Sequence, residues 1–396
     1  MSIELRPLGV KCNIACQYCY QNPQRDAERP EKRYDMEKMH QAIYRAGQPF
    51  TLFGGEALMI PMDDLEKMFA WGYEYYGSTS IQTNGTLIND KHIALFKRFN
   101  VSVGISVDGP DELNDIRWAQ TLKKTRKATK VTHDNIIRLC NEGITPGIII
   151  VLHKGNALPI HFEKMGAWLT RLDELGVSSV RLHLMEVDDQ NVAENYVLNE
   201  AQNIEALDYF HELSRSFKHL KIDIFSEIER LQKADDGRTS CVWNACDPYT
   251  TAAVQGIEGD GKQSNCGRTN KEGIDFVKST IPSYMRYVAL YNTSQEEGGC
   301  QGCRFFAMCK GNCPGTAVNG DWRNRTEHCG VWKNVFARTE NSLIKAGEVP
   351  LSKHELLSTI EEVQISHWKE GRNVSIQSIL KTLKYQAQEI KTEQGA

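Results

Sequence analysis

Cys12-Asn13-Ile14-Ala15-Cys16-Gln17-Tyr18-Cys19 puts three thiols on one short stretch with the spacing C-x3-C-x2-C. Three thiolates on one loop can hold three irons of a cubane and leave the fourth iron without a protein ligand. Such an iron can bind and reduce a small molecule, whereas a cluster that only carries electrons normally has four protein ligands. The competing reading is a zinc loop, which needs a fourth ligand close by. No His and no further Cys precedes His40, so the stretch reads first as an iron–sulfur loop.

The remaining cysteines extend this reading. Of twelve, three lie in the first 19 residues, Cys140 stands alone, and eight fall between 241 and 329. In a chain of 396 residues with no secretion signal at its start, thiols in such numbers argue for metal rather than disulfides, and a cytoplasmic location is expected. Net charge is −4 and no long block of like charge occurs, so neither nucleic acid nor a membrane surface is implied as a partner. No apolar run approaches the roughly 20 residues of a membrane span.

Outward from the first cysteines, short apolar runs alternate with amphipathic ones. Strands are predicted at Ile3–Leu8, Phe50–Phe53, Ser80–Thr83, Val101–Ser106, Gly147–Leu152 and Val180–Leu184. Helices are predicted at Met36–Arg45, Asp63–Tyr75, Asp90–Arg98, His133–Glu142, His161–Leu175 and Glu200–Ser216. Alternation of this kind predicts a parallel α/β sheet, open or closed into a barrel, with chemistry at the C-terminal strand ends. Cys12, Gly54, Asn84, Asp108 and His153 all fall at or just past such ends. Paired glycines in Phe53-Gly54-Gly55-Glu56 let backbone approach a ligand, with Glu56 as an acceptor for an ammonium group. Ser106-Val107-Asp108-Gly109-Pro110 ends a strand in a turn, and Gln82-Thr83-Asn84-Gly85 does the same. Ser106 and Asp108 could hydrogen-bond sugar hydroxyls.

Cys12, Cys16 and Cys19, with Tyr18 before the last of them and Gly54-Gly55-Glu56 one βα unit later, resemble the radical S-adenosylmethionine (SAM) superfamily over about residues 3–225. The resemblance implies a partial (β/α)6 TIM-like barrel and a four-iron cluster whose open iron binds the amino and carboxylate groups of SAM. One electron then cleaves SAM to methionine and a 5′-deoxyadenosyl radical, which takes a hydrogen from the substrate. It places Gly54, Gly55 and Glu56 at the methionine moiety, Ser106 and Asp108 at the ribose and Tyr18 at the adenine, with Thr83 and Asn84 in the same cofactor-binding set. Arg117, Lys124, Arg126 and Lys127 compete for the SAM carboxylate.

The second cysteine field reads Cys241-x4-Cys246, Gly261-x4-Cys266, Cys300-x2-Cys303-x5-Cys309-x3-Cys313, then Cys329. Eight thiolates suit two four-iron clusters with four ligands each; two zinc ribbons would need the same number. From about 241 to 332 the order resembles the SPASM domain of radical SAM enzymes that act on peptides and proteins. By that resemblance one auxiliary cluster takes Cys241, Cys246, Cys266 and Cys313, and the other takes Cys300, Cys303, Cys309 and Cys329. Three 4Fe-4S clusters and SAM are then the expected cofactors. The domains expected are 1–225 (radical SAM partial barrel), 226–335 (SPASM) and 336–396 (helical tail). Cys140, on an amphipathic helix, reads as a buried structural thiol.

Enzymes of this resemblance mature sulfatases or modify ribosomally made peptides. Sulfatase-maturating enzymes carry an Asp base after the cysteine matching Cys266, where this chain has Gly267 and Arg268. That departure favours a peptide-modifying enzyme forming a C–C, C–O or C–S crosslink. Formylglycine formation and epimerisation are the enzymatic alternatives, and an iron–sulfur electron carrier or zinc scaffold is the non-enzymatic one. A precursor peptide and an electron donor such as flavodoxin or ferredoxin are the partners implied. Candidates for a base, by position only, are Asp247, His153, His183 and Glu186. The first strand begins almost at residue 3, so a leader-binding module ahead of it is not expected. Six basic residues and no acid lie between Arg117 and Lys130, the composition of a solvated loop face or of an attractor for an acidic peptide.

Overall fold

Ile, Val and Leu alternate with partly exposed residues along Val101–Ser106 and Gly147–Leu152, and both segments are strands whose alternate residues are buried. The computed structural model describes residues 3–26, 34–186, 189–237, 239–251, 254–271, 279 and 281–384. Within these, nine strands form one sheet: β1 (Ile3–Arg6), β2 (Phe50–Leu52), β3 (Thr79–Thr83), β4 (Val101–Ser106), β5 (Gly147–Leu152), β6 (Ser179–Leu184), β7 (Lys221–Ile222), β8 (Gln255–Glu258) and β9 (Gln263–Ser264). Their order is β7-β6-β5-β4-β3-β2-β1-β8-β9. Neighbours from β7 through β8 are parallel, and β9 alone is antiparallel. Crossover helices Met36–Ala46, Met62–Tyr76, Asp90–Arg98, Leu122–Asn141 and Pro159–Glu174 separate β1 to β6, and Glu200–Ser214 follows β6. This is the repeat of a partial (β/α)6 barrel. Leu5, Leu52, Ile105, Ile150 and Val180 are fully buried between sheet and helices.

Two compact units result, Met1–Ile224 with Val254–Val277, and Phe225–Ala253 with Lys278–Ala396. The division differs from the linear one, 1–225, 226–335 and 336–396, in two respects. Residues 254–277 return to the first unit because β8 pairs with β1, Ile3 opposite Gln255 and Leu5 opposite Ile257. Residues 336–384 belong to the second unit. Its core joins Tyr287, Val288, Leu290 and Phe306 to Ile365 and Trp368 of the late helix Leu357–Lys369. The Trp368 ring lies 5.2 Å from that of Tyr287.

Another difference concerns Leu122–Asn141, a 20-residue helix predicted only from His133 onward. Its buried face before Ile136 is made of Thr125, Thr129, Thr132 and Asn135, so it carries no apolar period to read. The basic run Lys123 to Lys130 is therefore helical, capped by Thr121, whose side chain accepts from Lys124 N. Cys140 on the same helix is half-buried rather than buried. No helix among the described residues is long and apolar enough to cross a membrane.

Candidate functional site

After β1 the chain turns through Gly9 N to Arg6 O and Lys11 N to Leu8 O into the cysteine loop. Backbone bonds from Ala15 N to Trp118 O (2.7 Å) and Gln17 N to Ile116 O (3.0 Å) clamp it. Arg25 reaches back to Ile14 O, and Asn22 donates to Cys16 O and Gln17 O. Cys16 is buried against Ile14 and Ala119, and Cys12, Tyr18 and Cys19 pack on the same cluster, so the three thiols gather at one place. Burial pushes the Cys16 thiol up to about 12 and raises that of Cys12, while the Arg117 guanidinium opposes both shifts. Metal-free thiols here keep their protons, which a bound cluster displaces. Among the described residues no three His, Cys, Asp or Glu side chains are close enough to hold a single metal ion.

Gly54 and Gly55 are required by the protein's own backbone. Gly54 has φ +130°, and a Cβ there would lie 2.6 Å from Gly9 O. A Cβ on Gly55 would lie 2.0 Å from Lys11 O. Gly55 N donates to Gly9 O and Glu56 N to Lys11 O, at 2.9 and 2.8 Å. The close approach expected for a ligand is thus made to the turn leading into Cys12. Glu56 also departs from the role expected of its side chain. It is 0 % exposed, and its carboxylate accepts from Leu58 N (2.9 Å), Thr83 Oγ1 (2.7 Å) and Asn84 N (2.7 Å). That carboxylate ties the ends of β2 and β3 together and does not present itself to a ligand. Beyond it, Asn84 Nδ2 donates to Asn13 Oδ1 at 2.7 Å and lies 3.9 Å from Cys12 Sγ.

A second knot joins Tyr18 to the end of β4. Tyr18 donates its hydroxyl hydrogen to Asp108 Oδ2 at 2.6 Å and accepts from Arg117 Nη1 at 2.7 Å. Asp108 Oδ1 accepts from Val151 N, and Asp108 N donates to Asn114. Asp108 is fully buried, so it braces Tyr18 instead of facing a sugar. Burial pushes its carboxyl up, against the pull of Arg117 and Tyr18. Ser106 accepts from Gln82 at 2.8 Å. Of the four basic residues competing for a carboxylate, Arg117 is buried, Arg126 is paired with Asp115, Lys124 donates to Gln120, and Lys127 is exposed. Asn114 and Asn156 were not singled out from sequence. Asn156 Nδ2 donates to Asp108 O and Val151 O, joining β4 to β5. Its signal was the turn-forming run His153-Lys154-Gly155-Asn156.

The candidate bases are all engaged structurally. Asp247 accepts from Tyr249 N and Thr250 N, a turn of the second unit. In the first unit Arg268 pairs with Glu186 at 2.8 Å and donates to His183 Nδ1 at 3.2 Å. His153 Nδ1 accepts from Gly155 N. Burial holds His153 down to about 3 and, with the Arg268 charge, holds His183 well below the usual histidine range. Both are therefore neutral when folded and take up a proton on unfolding below about pH 6.5. Their stabilisation is complete above that pH and is lost as pH falls toward the folded values. Between pH 7 and 5.5 each should cost about 1 kcal/mol. This is measurable by urea unfolding of the metal-free protein, where His153→Asn should lose about 1 kcal/mol less than wild type between pH 7 and 5.5. An equal pH dependence in the two proteins would refute it.

In the second unit, Cys300, Cys303, Cys309 and Cys329 line one small cavity together with Phe305 and Phe306. Cys309 and Cys313 are separated by Lys310, Gly311 and Asn312 at φ +50°, +72° and +58°, a left-handed run that reverses the chain within a few residues. Lys310 is buried and donates to Trp243 O at 3.0 Å. Cys246 and Cys313 are buried, and Cys241 and Cys266 are half-buried.

Residues 7–165 match the Radical SAM superfamily. The Serine-type anaerobic sulfatase-maturating enzyme of Klebsiella aerogenes is 30% identical over 211 residues, which cover 50% of this chain and 50% of that enzyme. The chain therefore spans about half the length of that relative. The Cysteine-type anaerobic sulfatase-maturating enzyme of Clostridium novyi (strain NT) is 22% identical over 341 residues, 79% of this chain and 87% of that enzyme. The solved structure of native anSMEcpe with bound AdoMet and Cp18Cys peptide shares the fold. Its TM-score is 0.62 at 19% identity, with 87% of this chain and 99% of that one covered. Residues 7–165 thus carry the match to the Radical SAM superfamily, and the chain shares its fold with anSMEcpe.

Proposed function

We propose that this chain is a radical SAM enzyme that modifies a ribosomally made precursor peptide, with a C–C, C–O or C–S crosslink as the product. The observation that carries the reading is the anchoring of the three-cysteine loop on Gly54-Gly55-Glu56 at the C-terminal edge of a parallel βα sheet. Cys12, Cys16 and Cys19 hold a four-iron cluster there, and the buried Arg117 cation beside them suits an anionic cluster. Bound at that site, the cluster and SAM supply the 5′-deoxyadenosyl radical that removes a hydrogen atom from the peptide. Tyr18, braced by Asp108 and Arg117, forms the adenine side of the site. Ser106 meets the ribose, and the Gly54–Gly55 backbone with Thr83 and Asn84 shapes the methionine side. The eight later thiolates suit two auxiliary clusters, one of them held by Cys300, Cys303, Cys309 and Cys329 around their shared cavity. A flavodoxin or ferredoxin supplies the electron.

The sulfatase-maturating relatives favour a second reading, formylglycine formation. Gly267 speaks against it, because a Cβ there would lie 2.6 Å from Tyr20 Cε2 and 3.1 Å from Arg6 Nη2. An Asp at this position would have to displace the Tyr20 ring. The test is coexpression with the small open reading frames neighbouring its gene, followed by mass spectrometry of the peptides. Loss of two hydrogens per modified site is expected. An unchanged mass with inverted stereochemistry would replace crosslinking by epimerisation. Oxidation of a sulfatase-derived Cys or Ser peptide would establish the second reading.

A further inference from the structure

The cavity lined by Cys300, Cys303, Cys309 and Cys329 contains two nitrogen donors that the protein leaves unused. Arg325 and Trp332 both line it, and Arg325 Nε and Trp332 Nε1 are buried without a hydrogen-bond partner. Another nitrogen of the same guanidinium is engaged, Nη1 donating to Gln295 O at 2.9 Å. Trp332 is only 8% exposed, so water does not take its indole hydrogen. A buried N–H without an acceptor is destabilising, and two around one small cavity are a poor arrangement unless something in it accepts them. The nearest chemistry able to do so is sulfur, because four thiols share the same walls. The charged side chains lining the cavity, Arg325 and Lys333, are both cations.

We propose that Arg325 Nε–H and Trp332 Nε1–H donate hydrogen bonds to the sulfurs of the auxiliary cluster held by these four cysteines, and with Lys333 raise its reduction potential. The inference rests on the cluster assignment proposed above. Its physical basis is that the cluster gains a negative charge on reduction, and N–H donors and nearby cations stabilise that charge. Hydrogen bonds to the sulfurs and net charge are among the principal determinants of iron–sulfur potential. Trp332 and Arg325 thus act as positioning and tuning residues, and neither needs to touch substrate.

The experiment uses the reconstituted full-length enzyme and an EPR-monitored redox titration of the signal that Cys300→Ala removes. Trp332→Phe keeps the ring and deletes the donor; Arg325→Met deletes both donor and charge. Each should shift the one-electron equilibrium about tenfold toward the oxidised cluster, which is about 59 mV, with iron content unchanged. Arg325→Met should shift it further than Trp332→Phe. Unchanged potentials at unchanged iron content would overturn the proposal. Pulsed EPR of the wild-type protein labelled with 15N-tryptophan or 15N-arginine gives a readout that needs no variant, and absence of a 15N coupling to the reduced cluster in both would also overturn it. If Cys300→Ala loses no iron, the cluster assignment itself fails, and the proposal with it.

Discussion

Replacement of Cys16 by alanine should abolish SAM cleavage, with 5′-deoxyadenosine formation falling at least about 10³-fold, roughly 4 kcal/mol in barrier terms. Iron should fall from about 12 to about 8 atoms per chain, as loss of one four-iron cluster of three requires. Cys16 is the most informative of the three thiols because it is the buried one, packed between Ile14 and Ala119. Its carbonyl is also the acceptor for Cys19 N and Asn22 Nδ2, contacts that an alanine retains. The variant therefore removes the sulfur while keeping the loop. Cys140→Ala is the control and should leave both iron and cleavage unchanged. Anaerobic reconstitution, iron and sulfide analysis, and quantification of 5′-deoxyadenosine after reduction decide the matter. Unchanged cleavage in Cys16→Ala would remove the role proposed for the opening motif, and stoichiometric zinc in place of iron would remove the enzyme reading altogether.

The second large effect is structural. Glu56→Ala should destabilise the protein by about 2–5 kcal/mol, because three buried donors lose their common acceptor. The deleted carboxylate is the acceptor for Leu58 N, Thr83 Oγ1 and Asn84 N, and it has no exposed surface. Each donor left buried without a partner costs about 1–3 kcal/mol, and local relaxation recovers part of the sum. Glu56→Gln retains one acceptor oxygen but turns an amide N–H₂ toward another donor, so a smaller loss of about 1–2 kcal/mol is expected. Denaturant unfolding of the two variants beside wild type measures the difference. A loss below about 1 kcal/mol for Glu56→Ala would show that the strand-end junction holds little together. The same variant should also incorporate less of the first cluster, because the Glu56 carboxylate holds Asn84, whose Nδ2 donates to Asn13 of the cysteine loop.

Much of the first unit was legible from residue order. β4 and β5 run over the residues that alternation predicts, and the helix Asp90–Arg98 does so as well. Strong periodicity and clear caps, such as Asn89 accepting from Lys91 N and His92 N, leave little choice. The misreadings share a cause. The early turns of Leu122–Asn141 bury threonines that bond to loops, Thr132 to Asn84 O and Thr129 to Asn114, so hydropathy gives no period. β7 and β9 have two residues each, too few to show one. The return of residues 255–264 to the sheet is a pairing between β1 and β8, more than 240 residues apart in sequence, and local patterns carry no trace of it.

The candidate site divides in the same way. Which residue types are present, and at what spacing, belongs to the sequence: three thiols on one loop, paired glycines after a strand, eight later thiols. These carry the family resemblance and the class of cofactor expected, because coordination chemistry depends on ligand number and spacing, which the chain writes out directly. What each neighbouring side chain does was decided only in three dimensions. Glu56 and Asp108, expected at a ligand, turn out to be buried braces. Arg117 is distinguished from three other basic residues by burial alone, and Arg325 and Trp332 have meaning only because four cysteines surround the same cavity. A polar group's role depends on whether water or a partner satisfies it, and that is a property of packing between distant segments rather than of sequence neighbours.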